Sequence, residues 1–139
     1  MGSILVVQSD PDTRDRLGTA LREAGHEVIV AFAVREAVLR LREGGIDLVV
    51  IDAYDPRVTV PELARNMETL PDTPPFVLLS GSPHAPEISA RVGAAAFIPK
   101  PYEAAELVVA IDRVAGIVRP VRVIDEEDEP TGPVRIASS

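Results

Sequence analysis

The stretch IDLVVID, residues 46–52, gives the clearest indication of the fold. Its middle residues, Leu48 to Ile51, are apolar without interruption and mostly β-branched. Such a run is typical of a central strand in a parallel sheet, because helices cover both faces of that kind of sheet. We therefore predict a buried strand from Ile46 to Ile51, with the charged Asp52 at its carboxyl end.

Short runs of the same kind alternate with stretches of helical period on both sides of this strand, about five times in all. This alternation predicts a (βα)5 α/β domain, in which helices cover both faces of a parallel sheet. Right-handed crossovers would place a ligand site at the carboxyl ends of the strands, where Gln8, Asp52 and Ser80 fall. The predicted strands are 3–7, 27–31, 46–51, 76–79 and 95–98, and the predicted helices are 11–24, 34–43, 59–70, a weaker one within 83–93, and 102–115.

Two of the predicted helix starts depend on capping residues. Asp10 precedes Pro11, and a carboxylate accepts hydrogen bonds from the free N–H groups of a first turn, in which proline is also favoured. The sequence from Thr59 to Glu62 has the pattern of a capping box. We therefore predict that the first helix begins after Asp10 and the third at Thr59.

Length and composition indicate one compact domain. The chain has 139 residues, of which 46% are hydrophobic, and it contains no cysteine, which excludes disulfides and thiolate metal sites. No apolar run approaches the roughly 20 residues needed to cross a bilayer. The first eight residues lack the features of a signal peptide. We expect a soluble, cytoplasmic protein that does not interact with membranes.

The charge pattern separates the domain from a C-terminal tail. The net charge is −8, and five of the 22 acidic residues lie together at 125–129. An acidic chain without a basic, aromatic-rich stripe is not expected to bind nucleic acid. We predict a domain over 1–118 and a flexible, acidic, proline-containing tail over 119–139. Two similar pieces, PVRV and PVRI, leave a strand-like tail as the alternative.

Three short motifs follow the ends of predicted strands. Asp52 is followed by Pro56 four residues later, Ser80-Gly81 follows the fourth strand, and FIPKPY spans 97–102. Together these motifs resemble the receiver domains of bacterial response regulators, over about residues 3–117. The resemblance implies a doubly wound, flavodoxin-like sheet of order 2-1-3-4-5 and a role in two-component signal transduction.

The resemblance also implies roles for three side chains. Asp52 would accept a phosphoryl group, Lys100 would contact that group as a positive charge, and Ser80 would hydrogen-bond to it, since phosphoryl transfer depends on positioning and charge neutralisation. Lys100 is the only lysine in a chain with thirteen arginines, which favours a specific need for a compact ammonium group. The alternatives are that Asp52 is an ordinary loop residue and that Ser80 serves only the local backbone.

The first strand is followed by a departure from the receiver pattern. Receivers carry two adjacent acidic residues there, which hold a divalent ion, whereas this chain has Gln8 and Ser9. The oxygen ligands left for Mg²⁺ would be Asp52, the backbone carbonyl of Tyr54 and Asp10, and Asp10 is better suited to helix capping. Because Mg²⁺ gains most of its affinity from carboxylates, we predict weak or absent Mg²⁺ binding and no other cofactor.

These residues support one main hypothesis and two alternatives. With the acidic pair missing, Asp52 and Lys100 can form a near-neutral pair, which favours a pseudo-receiver that signals through protein contacts and is not an enzyme. The first alternative is an active receiver that is phosphorylated on Asp52 by a histidine kinase with Mg²⁺. The second is a flavodoxin-like binder of a small ligand, which the lack of a Gly-rich loop after strand one disfavours.

Output is expected to pass through a protein partner or a homodimer, since no DNA-binding or catalytic domain is seen after the receiver-like region. The resemblance implies a contact surface formed by helix four, strand five and helix five. Neither His26 nor His84 has a partner at metal-ligand spacing in the sequence, so we assign them no site. The residues predicted for the contact surface are Ile88, Phe97, Pro99 and Glu103.

Overall fold

A computed structural model describes residues 3–53 and 56–116, so Tyr54 and the predicted tail lie outside the described residues. Five strands alternate with five helices in this part of the chain. None of these helices is long and apolar enough to cross a bilayer. The elements are β1 Ser3–Val7, α1 Pro11–Glu23, β2 Glu27–Ala31, α2 Val34–Glu43, β3 Leu48–Asp52, α3 Pro56–Met67, β4 Phe76–Ser80, α4 Ala85–Val92, β5 Ala96–Pro99 and α5 Ala104–Ala115.

The five strands form one parallel sheet of order β2-β1-β3-β4-β5, which confirms the predicted α/β fold. The central strand β3 pairs with β1 and β4, and all five of its residues are buried. Asp52 pairs with Leu79, and Ser80 pairs with Pro99. The register therefore brings the carboxyl ends of β3, β4 and β5 to one edge of the sheet.

The sheet separates two hydrophobic cores. Side chains of successive strand residues point to opposite faces, so Val49 and Ile51 pack toward α2, α3 and α4, while Leu48 and Val50 pack toward α1 and α5. Burial on both faces explains why β3 is apolar without alternation. The carboxyl ends of the strands therefore belong to a sheet that has a hydrophobic core on each face.

The start of α3 differs from the prediction. The helix begins at Pro56, and Thr59 lies within it, so the predicted capping box at Thr59 is wrong. Proline is favoured at the start of a helix because its φ angle is already helical and its missing N–H would have no partner there. Residues 59–62 have the pattern of a capping box, but α3 begins before them and includes Pro61, although proline is normally excluded from a helix interior.

Several other boundaries shift by one to three residues. β3 begins at Leu48 rather than Ile46, and its end includes Asp52. α5 begins at Ala104, two residues after Tyr102, because Glu103 is its N-cap and forms a capping box with Glu106. The predicted limits of β1, β2 and α2 are those observed.

His26 is not an isolated turn residue. It is buried between α1 and β2, and its Nε2 lies 3.1 Å from Oδ1 of Asp112 on α5. The pair joins positions 86 residues apart, so no local sequence pattern could have indicated it. This buried polar contact attaches α5 to the turn that precedes β2.

Candidate functional site

The carboxyl edge of the sheet brings together the three side chains proposed for the site. Asp52 ends β3, Ser80 ends β4, and Lys100 follows the last residue of β5. Asp52 and Ser80 are 5% and 1% exposed, because both flanking strands and the helices above them cover these positions. Lys100 contacts Asp52 from a position that remains partly exposed.

An ion pair joins the aspartate and the lysine. The Nζ atom of Lys100 lies 2.5 Å from Oδ1 of Asp52, whose side chain is fully buried, whereas that of Lys100 is 36% exposed. Among the described residues, neither carboxylate oxygen accepts a hydrogen bond of ordinary geometry. The ammonium group is thus the main observed compensation for a buried negative charge.

Tyr102 lies close enough to respond to this charge. Burial of the phenol, with a further contribution from the negative charge of Asp52, raises the pKa of Tyr102 to about 12. The hydroxyl therefore stays neutral at physiological pH. Tyr102 therefore adds no charge beside the ion pair of Asp52 and Lys100.

The Ser80 hydroxyl is engaged with the local backbone. Its Oγ accepts a hydrogen bond from the N–H of Ser82 at 3.1 Å, and Oγ of Ser82 accepts one from the N–H of His84 at 3.1 Å. This arrangement agrees with the alternative that Ser80 stabilises the loop. A hydroxyl also carries a proton, so Ser80 retains a donor function besides this contact.

The residues after β1 are engaged in hydrogen bonds within their own loop. Oε1 of Gln8 accepts from the N–H of Asp10 at 2.9 Å, and the backbone carbonyl of Gln8 accepts from Arg14 at 3.3 Å. Oδ2 of Asp10 accepts from the N–H and the hydroxyl of Thr13, at 2.9 and 2.7 Å. Asp10 is therefore the N-cap of α1, and it acts locally rather than as a ligand.

The Asp10 cap predicts a pH dependence of stability. Its hydrogen bonds from Thr13 hold the pKa of Asp10 below the ordinary value of 3.8. A carboxyl whose pKa is lowered by folding stabilises the protein above that value and loses this effect as the pH falls through the folded pKa. We expect Asp10→Ala to lower the melting temperature at pH 7 and to lower it less at pH 3, as measured by circular dichroism.

Asp10→Asn is the matched control, because its side-chain oxygen still caps the helix without a charge. It should fall between the wild type and Asp10→Ala at pH 7. A reduction by Asp10→Ala that is the same at both pH values would contradict the contribution of charge.

Comparison with known proteins identifies the fold's family. Residues 4–112 match the family model described as the response regulator receiver domain. The chain belongs to the response regulator receiver family. The sensory transduction protein RegX3 of Mycolicibacterium smegmatis is 24% identical over 144 residues, which cover 98% of this chain and 61% of RegX3. The chain thus spans about three fifths of that relative's length.

Solved receiver structures show the same architecture. The non-phosphorylated receiver domain of HemR from Leptospira biflexa is 28% identical, with a TM-score of 0.72 over 87% of this chain and 99% of that one. The response regulator TrrA from Thermotoga maritima, solved in complex with Mg²⁺ and BeF, is 26% identical, with a TM-score of 0.72 over 82% of this chain and 99% of that one. These likenesses agree with the sheet order.

Receiver domains bind Mg²⁺ when active. Asp52 is already in contact with the ammonium group of Lys100, and the side-chain oxygens of Gln8 and Asp10 accept hydrogen bonds. Over residues 3–53 and 56–116, no group of three or more His, Cys, Asp or Glu side chains is placed to hold a metal. This arrangement does not fit a Mg²⁺ ion, which needs several hard oxygen ligands.

Two cavities lie at this edge of the sheet, one lined in part by Asp52 and the other by its neighbour Ala53 and by Lys100. One, of about 610 Å³, lies toward β1 and includes Gln8, Ser9, Phe32 and Glu62 in its wall. The other, of about 500 Å³, lies toward β4 and β5, and its lining includes Arg57, His84 and Lys100. The sequence analysis missed Arg57, because α3 was predicted to begin after it, and assigned His84 no role.

The predicted contact surface is only partly exposed. Ile88 is 4% exposed and packs in the core, so its assignment to a contact surface is corrected. Phe97 is half-buried against the same core, whereas Pro99 and Glu103 are exposed. The helical pattern located α4 but could not show which of its faces meets the sheet.

Proposed function

We propose that this receiver domain is a signalling module that acts through protein contacts, in which Mg²⁺-dependent phosphorylation of Asp52 is weak or lost. The observation that carries the proposal is the direct ion pair between Asp52 and Lys100. A carboxylate neutralised by a lysine forms a site that needs no metal for its charge balance. Receiver domains as a class are signalling modules rather than conventional enzymes.

The residues after β1 support this proposal. Gln8 and Ser9 follow the strand at the place where receivers carry their acidic pair, and both are uncharged at neutral pH. TrrA was solved with Mg²⁺ and BeF, so a receiver of the same architecture can hold such a complex. In this chain the corresponding ligands would have to come from Asp52 and from backbone oxygens, which gives a much weaker site.

An active phosphoacceptor is the second candidate. The convergence of Asp52, Ser80 and Lys100 at one edge favours it, because these are the nucleophile, donor and cation that phosphoryl transfer requires. In that case a histidine kinase would phosphorylate Asp52 with Mg²⁺. The two candidates differ in whether a phosphate becomes covalently attached.

Incubation with a small phosphodonor, with and without millimolar Mg²⁺, separates the candidates. We expect intact mass spectrometry to show no phosphate adduct on the wild-type chain under either condition. Asp52→Asn serves as the control for modification elsewhere, and a receiver with both acidic residues is the positive control. A stoichiometric, Mg²⁺-dependent adduct that disappears in Asp52→Asn would establish the active receiver instead.

We also propose that the partner is a protein of a cytoplasmic signalling pathway, which reads the surface formed by α4, β5 and α5. Pro99 and Glu103 are the exposed members of the residues predicted for it. A histidine kinase and a second copy of the chain are the two partners that this surface leaves open. Nucleic acid is disfavoured by the net charge of −8.

A further inference from the structure

The strand β2 is one edge of the sheet, and among residues 3–53 and 56–116 no strand lies on its outer side. Its residues are apolar except for Glu27 at the start, and it contains neither proline nor lysine. Proteins usually protect an edge strand with such residues, because its free N–H and C=O groups can pair with another strand. The opposite edge, β5, ends in Pro99, which has no N–H to donate. β2 is therefore the edge that an additional strand fits better.

The outward backbone groups of β2 belong to Val28 and Val30. The carbonyl of Ala31 accepts a hydrogen bond from the loop after β1, and the direction of these groups alternates along a strand, so Val28 and Val30 present theirs away from β1. Phe32 continues the outward series, and its N–H donates to Oε1 of Glu36 at 2.7 Å. The described part of the chain supplies no such partner for Val28 or Val30. The edge is thus closed at its carboxyl end and open in its middle.

The side chains of β2 are only partly covered. Val28 and Val30 pack toward the core on the side of α1, and Ile29 packs toward the opposite core, yet all three are only half-buried. A strand beside β2 buries more of this apolar surface on both faces of the sheet. The edge therefore offers backbone hydrogen bonds and apolar burial together.

We propose that residues 121–124, in the segment that follows α5, pair with β2 as an additional parallel strand. This stretch, VRVI, contains three β-branched residues, which are favoured in strands. Pro120 precedes it, at a position where the missing N–H interrupts no ladder. The pairing takes the strand-like alternative for the tail, and it goes beyond the proposed function because it involves neither Asp52 nor Lys100.

The position of α5 places this stretch within reach of β2. Asp112, in the last turn of α5, lies 3.1 Å from His26, which immediately precedes β2. From Gly116 to Val121 an extended chain spans roughly 16 Å, which exceeds the helix diameter of about 10 Å that it must pass at the end of α1. Since the end of α5 lies near the start of β2, a strand that continues from α5 along this edge runs parallel to β2.

The residue pattern of the stretch matches the two faces of β2. With both valines of VRVI on the face of Val28, Arg122 falls on the face of Glu27, the only charged residue of β2. Opposite charges that are close on one face of a sheet favour strand pairing. Ile124 then shares that face with Ile29. The acidic run at 125–129 follows at the carboxyl end of β2, close to the start of α2, where Arg35 is exposed.

The tail is favoured over a second copy of the chain as the source of the strand. Because the stretch is attached to the same domain by a short connection, its effective concentration at the edge is in the millimolar range. A free protein reaches the same edge only at its own, lower concentration. Pairing with the tail thus closes this edge against association with other copies.

Amide hydrogen exchange of the full chain, followed by NMR, tests the pairing. We expect the N–H groups of Val28 and Val30 to exchange slowly in the wild type, because each donates to the added strand. Arg122→Pro combined with Val123→Pro removes one N–H of each orientation from that strand, so protection at both positions should fall about tenfold. Protection of Val50 in the central strand should stay unchanged.

Arg135→Pro combined with Ile136→Pro is the matched control, in the similar piece PVRI, and it should leave exchange in β2 unchanged. Fast exchange of Val28 and Val30 in the wild type, or equal protection in the two double variants, would overturn the inference. Protection that falls on dilution would also overturn it, since a second copy would then supply the strand. A phosphate adduct on Asp52 would contradict the proposed function and leave this inference intact.

Discussion

Lys100→Met is expected to lower the free energy of unfolding by about 3 kcal/mol, at the lower end of the range for breaking a buried ion pair. Methionine keeps most of the apolar stem but removes the ammonium group that compensates the fully buried carboxylate of Asp52. The lower end applies because Lys100 is 36% exposed, so water can replace part of the lost compensation. Urea unfolding followed by circular dichroism measures this change.

The matched variant at the other end of the pair should behave differently. Asp52→Asn leaves the lysine without its partner, but that side chain can turn to solvent, so we expect a change within about 1 kcal/mol. In the double variant the buried charge is absent, and most of the stability lost in Lys100→Met should return. A coupling energy of about 2 kcal/mol is the expected result of the double-mutant cycle.

If the double variant is as unstable as Lys100→Met, the loss comes from packing of the lysine stem and not from the charge of Asp52. The near-neutral pair on which the proposed function depends would then contribute little. The free energy of unfolding is measured for the wild type, the two single variants and the double variant under the same conditions.

The sheet could be predicted because its signal is local. The uninterrupted apolar run before Asp52 and the alternation around it specify a parallel, doubly covered sheet, and such a sheet aligns the ends of its strands. The meeting of Asp52, Ser80 and Lys100 at one edge follows from that alignment. Asp52 and Ser80 could be placed there from the predicted strand ends, and Lys100 from the resemblance of its motif to that of receivers.

Other features depend on contacts that a local pattern does not contain. Thr59 has the pattern of a helix start, but Pro56 can begin the helix earlier, and the sequence alone does not decide between the two. His26 and Asp112 are joined by the packing of α5 against the sheet. Ile88 was predicted to lie on the contact surface, but α4 is oriented so that this side chain packs in the core.

The cavity toward β4 and β5 illustrates the same limit at the site itself. Arg57 lies in the first turn of α3, and His84 lies just before α4, so they come from different βα segments. A motif search along the strand ends finds Lys100 but not these two residues. Only the relative placement of α3 and the loop after β4 brings them to one cavity.

Gln8→Asp combined with Ser9→Asp is expected to create Mg²⁺ binding, with an affinity on the order of a hundredfold above that of the wild type. Two added carboxylates near Asp52 supply hard oxygen ligands and raise the local negative charge, which attracts a divalent ion strongly at a partly buried site. Without Mg²⁺ the same charges repel Asp52, so the variant should be less stable than the wild type. Millimolar Mg²⁺ should raise its melting temperature and leave that of the wild type unchanged, because binding to the native state stabilises it.

Gln8→Asn combined with Ser9→Asn is the matched control, with nearly the same shapes and no charge. It should also lose the hydrogen bond between Oε1 of Gln8 and the N–H of Asp10, so any change caused by that loss appears in both variants. A Mg²⁺ response confined to the acidic variant would place the metal ligands directly after β1. An equal response in both variants would mean that the carboxylates introduced at positions 8 and 9 do not bind the Mg²⁺ ion.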